Sequence, residues 1–230
     1  MGHARKLTFD VDAHSTDAPS GLNLGYIHFT GVTNTGTNPI VDEILADASR
    51  KVMEKFKGAD ASQDPILKGI RSFFSHLGID PTKDRPSGEA LIKRVLGGKG
   101  LYRVNSVVDL NNAVSLLSGC PCGVYDAGKI SGDAIHLVIG SPGQSYEGIW
   151  GKAVNGEGKI LTADASGVFG GPVADSKRTC VRPETKEVLM LIYGPKPVGL
   201  ELLSESMSKA IEYMKTATSA NAEYSGVFQI

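Results

Sequence analysis

The stretch N-S-V-V-D-L-N-N-A-V-S-L-L, Asn105 to Leu117, divides the 230-residue chain into two textures. At 100° per residue it predicts a helix with Val107, Leu110, Val114 and Leu117 on one side and Asn105, Asp109 and Asn112 on the other. Before it, apolar residues recur at helical spacing. Asn38 and Pro39 open a first helix that carries Ile40, Val41, Ile44, Leu45, Ala48, Val52 and Phe56 and stops at Gly58. Asp64 and Pro65 open a second, with Ile66, Leu67, Ile70, Phe73, Phe74 and Leu77, ending at Gly78. Pro86 and Ser87 open a third, in which Ser87 is placed to cap, Glu89 suits the positive end, and Leu91, Ile92, Val95 and Leu96 form the buried stripe. Two alternating segments, Lys6 to Val11 and Leu22 to Phe29, precede these helices and predict strands joined by a Gly/Ser/Asp-rich turn.

From Cys120 onward the pattern changes to short β-like runs at Ile135 to Ile139, Lys159 to Thr162, Val168 to Val173, Thr179 to Arg182 and Val188 to Tyr193. A last amphipathic helix covers Gly199 to Met214, and the polar tail beyond Ala217 either frays or docks as an edge strand. Helices first and strands after, with no linker or repeat, predict an α+β fold in one unit over residues 1–230. Its β-sheet is expected to be mixed or antiparallel, with helices packed on it.

Composition narrows the function classes. Twenty-four Lys plus Arg against 25 Asp plus Glu leave a net charge of −1, so no global field attracts polyanions and any nucleic-acid contact must be a local patch. Charges interrupt Leu7, Phe9 and Val11 near the N-terminus, so neither a signal peptide nor a membrane span is expected there and a cytoplasmic location is. Three cysteines, Cys120, Cys122 and Cys180, form an odd set, and C-P-C fits neither a zinc knuckle nor a C-x-x-C redox pair, so reduced thiols are expected. The five histidines show no H-x-x-x-H or H-E-x-x-H spacing, and Gly97, Gly98 and Gly100 follow a helix instead of a strand. No metal, nucleotide cofactor or other cofactor is expected. The absence of G-x-S-x-G removes the usual serine-hydrolase signature.

Two polar clusters remain. Asn105, Asp109 and Asn112 share a helix face beside the loop Gly119 to Asp126; periodicity alone also permits a solvated face. Asp175, Ser176, Lys177, Arg178 and Thr179 lie between two β-like runs, where turn chemistry is the competing reading.

Five short motifs in this order and spacing resemble the B3/B4 editing domain of the phenylalanyl-tRNA synthetase beta chain. They are R-P-S-G-E-A-L-I-K-R (Arg85 to Arg94), Gly98 to Leu116, P-C-G-V-Y-D (Pro121 to Asp126), Y-E-G-I (Tyr146 to Ile149), and D-S-K-R-T with P-E-T-K (Asp175 to Lys186). The resemblance is strongest over residues 85–186, whereas residues 1–60 match only in placing strands before helices. It implies a B3/B4-like fold and hydrolysis of the ester of a mischarged aminoacyl-tRNA, here in trans because aminoacylation machinery is missing from this stretch. An activated ester needs chiefly an oriented water and a held carbonyl. A site that hydrogen-bonds a side-chain hydroxyl can reject the analogue without it by roughly 10⁴-fold or more.

Residue by residue, the resemblance implies Asp175, Ser176 and Thr179 as catalytic groups. Asn105, Asp109 and Asn112 would form the facing wall, with Tyr125 and Asp126 at the rim. Arg85, Lys93, Arg94 and Lys99 would be the local positive surface for aminoacylated tRNA, although a solvated charged helix face explains them equally by periodicity. No DNA or membrane partner is implied. Three positions depart from the bacterial pattern: Gly123 stands where a His follows the proline, Asn111 where a Thr lies in the helix, and Leu191 where a late strand is acidic. These departures keep a non-catalytic tRNA-binding or amino-acid-binding protein open as an alternative. An excised domain of a full-length synthetase beta chain is a further one.

Overall fold

A computed structural model describes residues 6–11 and 20–230. The Gly/Ser/Asp-rich turn expected between the first two strands lies almost wholly outside these residues. The elements run β1 (Thr8–Val11), β2 (Leu22–Thr30), α1 (Pro39–Lys55), α2 (Pro65–His76), α3 (Ser87–Leu96), α4 (Ser106–Ser118), β3 (Cys122–Asp126), β4 (Ala134–Ile139), β5 (Ser145–Glu147), β6 (Ala153–Asn155), β7 (Ile160–Asp164), β8 (Gly167–Gly170), β9 (Val188–Pro195), α5 (Leu200–Thr218) and β10 (Asn221–Gln229). The chain is thus an α+β fold with mixed sheet pairing.

Local chemistry sets the helix starts. Asn38 accepts from the backbone N–H groups of Ile40 and Val41, and Asp64 from those of Ile66 and Leu67, with proline at the first helical position in both. Ser87 does not cap α3. Pro86 occupies the capping position without a side-chain bond, and the Ser87 N–H donates to the Pro172 carbonyl at 3.3 Å.

One four-stranded sheet has the order β10-β2-β9-β3 and is antiparallel throughout; a second, β1-β4-β7-β8, is parallel at β1–β4 and antiparallel elsewhere. β9 is buried along its whole length and continues the apolar content of β2 beside it. The tail strand β10 docks on the outer edge of β2, which is the edge-strand outcome for the polar C-terminus. Strands β5 and β6 form a separate hairpin whose tip leaves Trp150 90% exposed. The run Thr179 to Arg182 makes an isolated bridge, Cys180 opposite Tyr125, in place of a strand.

Helix α4 is the central helix. It packs against α1, α3, α5 and β3, so burial surrounds it: Asp109 and Asn111 are as hidden as Val107 and Leu110. A two-sided helix was the expectation; partners on most sides bury the polar Asp109 and Asn111, while Asn112 stays half-buried and lines an open cleft. No helix among the described residues is long and apolar enough to cross a membrane.

Candidate active site

Strand β3 is short and buried at every position, and it lies at the inner edge of its sheet with Gly123 opposite Leu191 and Val124 opposite Met190. Side chains two apart on a strand share a face, so the Tyr125 ring can lie back over Gly123. A Cβ built at Gly123 would sit 2.2 Å from the Tyr125 hydroxyl oxygen, and one at Gly170 would sit 2.5 Å from it. Two glycines therefore form the slot that holds this phenol. The ring is fully buried and meets Phe169 edge-on at 4.9 Å.

The segment after β8 supplies the partner. Between Val173 and Cys180 the chain is irregular, held by Ser176 N–H to the Phe169 carbonyl (3.0 Å), Lys177 N–H to the Glu147 carbonyl (3.0 Å) and Asp126 N–H to the Thr179 carbonyl (2.8 Å). It delivers the Asp175 carboxylate to the Tyr125 hydroxyl, which donates to it at 2.7 Å. The Tyr193 hydroxyl lies 3.4 Å from that of Tyr125 and 3.5 Å from Thr162 Oγ1. Tyr146 donates to the Ala174 carbonyl at 2.8 Å, fastening the same segment from the hairpin side.

Electrostatics follow from this enclosure. Burial pushes the Asp175 carboxyl up to about 7, and the Tyr125 hydrogen bond opposes that only in part. Burial raises the phenols of Tyr125, Tyr193 and Tyr146 above the usual tyrosine range, with the Asp175 charge adding to the effect. The three tyrosines stay neutral donors near neutrality. Asp175 is half-buried and can be found in either protonation state there.

The other candidate residues occupy several different places. Ser176 is buried, and its Oγ accepts from the Arg178 N–H at 3.2 Å. Thr179 is fully buried and donates to the Phe169 carbonyl at 3.3 Å. Asp126 accepts from Thr185 Oγ1 at 2.8 Å and from the Gly128 N–H at 3.1 Å. Asn105 caps α4 through the Val108 N–H. Asp109 accepts from Arg103 Nε at 2.8 Å and from the Val104 N–H at 2.9 Å. These bonds hold the elements together. The arrangement brings Asp175 to Tyr125 and places Asn105 and Asp109 in the first turn of α4, bonded to residues 103–108.

A cleft of about 510 Å³ gathers the remaining candidates: Arg85, Lys93, Arg94 and Lys99 line it with Asn112, Tyr102, Ser87 and Val173. Val173 lies two residues before Asp175 on the same segment. No carboxylate is among the described residues that line this cleft.

The three positions that depart from the bacterial pattern converge. Gly123 pairs with Leu191, and Asn111 Nδ2 reaches the Cys122 carbonyl at 3.5 Å while its buried Oδ1 has no partner. Sequence reading did not single out Tyr193, Tyr102 or Gly170. Tyr193 closes an apolar strand and Tyr102 follows a glycine turn, positions that carry no signal until the tertiary neighbours are known.

A solved N-terminal fragment of the phenylalanyl-tRNA synthetase beta-subunit from Pyrococcus horikoshii is similar to this chain at 10% identity and a TM-score of 0.46, covering 100% of this chain. The chain spans 57% of that fragment's length. No curated protein matches the chain. The family model described as B3/4 domain matches residues 69–217, well over half of the sequence and inclusive of the Tyr125–Asp175 pair and the basic cleft, so the chain belongs to the B3/4 domain family.

Proposed function

We propose that this B3/4 protein hydrolyses the ester of a mischarged aminoacyl-tRNA, acting in trans on a substrate charged elsewhere. The observation that carries the reading is an aspartate poised near neutrality, Asp175, hydrogen-bonded to Tyr125 and two residues beyond Val173, which lines a cleft with four cations. A carboxylate with that affinity for protons is matched to general-base work at physiological pH. It takes a proton from water as the water oxygen adds to the ester carbonyl. The proton then passes to the departing ribose oxygen, leaving free amino acid and tRNA. Tyr125, a neutral donor at 2.7 Å, orients the carboxylate, and Arg85, Lys93, Arg94 and Lys99 offer charge to the RNA backbone.

Purified protein incubated with a panel of mischarged tRNAs tests this reading. Deacylation of at least one species, lost in Asp175→Asn, is the expected result. Release no faster than the uncatalysed rate for every member of the panel would end the proposal.

A second reading is a protein that binds aminoacylated tRNA or an amino-acid-like ligand without cleaving it. It is favoured by the cluster of Asn111, Gly123 and Leu191, in which the Tyr125 phenol fills the space over Gly123. A ligand at about 100 times its dissociation constant adds about 2.7 kcal/mol of stability. A thermal shift with aminoacyl analogues and no ester cleavage would select this second reading.

A further inference from the structure

Three hydroxyls lie in a row behind the Asp175 carboxylate. Tyr125 donates to Asp175 Oδ1 at 2.7 Å, the Tyr193 hydroxyl lies 3.4 Å from that of Tyr125, and Thr162 Oγ1 lies 3.5 Å from that of Tyr193. They come from β3, β9 and β7, and all three residues are closed to solvent. Gly123, Gly170 and the edge-on Phe169 fix the Tyr125 ring, so its hydroxyl can turn only its hydrogen.

The number of hydrogens gives the row a direction, since a hydroxyl carries only one. That of Tyr125 is spent on Asp175, so Tyr193 is the donor across the 3.4 Å contact. The Tyr193 hydrogen is spent in turn, so Thr162 is the donor across the 3.5 Å contact. The reverse direction would leave the Thr162 hydrogen buried without an acceptor among the described residues, and a buried unpaired donor is costly. Both outer contacts are longer than the usual O–H···O range, so the influence of each hydroxyl on Asp175 falls along the row. The far side of the carboxylate is different. Oδ2 has no hydrogen-bond partner among the described residues and is not one of the unpaired polar atoms closed to water. One oxygen is pinned and the other is open.

We propose that Tyr193 and Thr162 are positioning residues: they hold the Tyr125 hydrogen on Oδ1, so that Oδ2 is the atom that takes a proton from water. This rests on the proposed function for the reaction that Asp175 serves, while the row itself is testable without RNA.

The titration of the Asp175 carboxyl carbon tests it, followed by carbon-13 NMR of the aspartate-labelled full chain and assigned with Asp175→Asn. The other titratable groups turned toward Asp175 are Cys122 and Tyr125 on β3, Tyr193 on β9 and Tyr146 on β5, all raised by burial and neutral near pH 7. Lys177 and Arg178, the next charges on the segment, pair with Glu147 and Asp164. The wild-type midpoint lies at about 7. Tyr193→Phe keeps the ring, deletes the donor and raises the proton affinity of Asp175 about threefold. Thr162→Val raises it less, and Thr162→Ser restores the wild-type value. Were Tyr193 the acceptor of the Tyr125 hydrogen, its loss would free that hydrogen for Asp175 and lower the midpoint. A midpoint that falls or stays fixed in Tyr193→Phe overturns the proposal, as does a Thr162→Val effect larger than that of Tyr193→Phe. In deacylation, Tyr193→Phe moves the pH midpoint of kcat by the same factor and leaves KM unchanged. A midpoint that rises in the expected order, without deacylation of any tRNA, keeps the row and removes the hydrolase. Deacylation whose pH midpoint ignores both variants removes the row and keeps the hydrolase.

Discussion

Replacing Asp175 with Asn separates the stability of the fold from the chemistry proposed for it. In the folded protein burial holds the Asp175 carboxyl near 7, whereas an exposed aspartate ionises near 3.8. The unfolded chain therefore releases this proton first, and between those two values stability falls as pH rises. Each tenfold difference in proton affinity is about 1.4 kcal/mol, so the complete cost above pH 7 is about 4 kcal/mol. Partial exposure of Asp175 reduces that to roughly 2–4 kcal/mol. Asparagine keeps an acceptor for the Tyr125 hydroxyl and has no charge to desolvate. Urea titrations of both proteins across the pH range isolate the effect, since every other titrating group is common to the pair. Near pH 4 the two should be about equally stable, and near pH 8 the variant should be more stable by about that amount. A difference that stays constant with pH, or a wild-type protein more stable than the variant near pH 8, would refute the reasoning. Added stability together with lost hydrolysis is the pattern expected of a group retained for function.

Gly123→Ala pushes a methyl to within 2.2 Å of the Tyr125 hydroxyl, which is buried and bonded to Asp175; a loss of about 1–3 kcal/mol is expected in chemical denaturation. Asp109→Ala removes the fully buried acceptor of the Val104 N–H and of Arg103, which also pairs with Asp42. That variant should lose about 2–3 kcal/mol, measurable by the same titration. Burial pushes the Cys120 thiol up to about 12 and raises that of Cys122, while Cys180 is half-buried and none of the three is in a disulfide. A chromogenic disulfide reagent should therefore modify Cys180 first in the native protein, and all three only after unfolding.

Much of the helical half was legible in the sequence because its signals are local. Asn38 with Pro39, and Asp64 with Pro65, cap the helices they appear to cap, since a short side chain meets backbone N–H groups two and three residues on, whatever the rest of the fold does. Ser87 carried the same signal, but Pro86 takes the capping position and the Pro172 carbonyl claims the Ser87 N–H, a tertiary contact no local rule contains. The polar side of α4 failed as a guide to solvent for a related reason. Its periodicity is real, yet the packed neighbours convert Asn105 and Asp109 into internal braces, and only Asn112 of the three reaches the open cleft. Strand β3 escaped detection because a five-residue buried strand with a glycine in it shows no alternation. Within the site, the motif series pointed to Asp175 and Tyr125. Their pairing across 50 residues, and the two glycines that make room for it, emerged only with the register of β3 and the path of the segment after β8.

The most direct test of the account is the pH dependence of single-turnover deacylation of a mischarged tRNA by the wild-type protein and by Asp175→Asn. The rate should climb with a midpoint at about 7, where the Asp175 carboxyl loses its proton, and should fall to the uncatalysed level in the variant. A rate that does not change across that range, or an Asn variant that cleaves the ester as fast as the wild type, would contradict the claim that Asp175 is the working group.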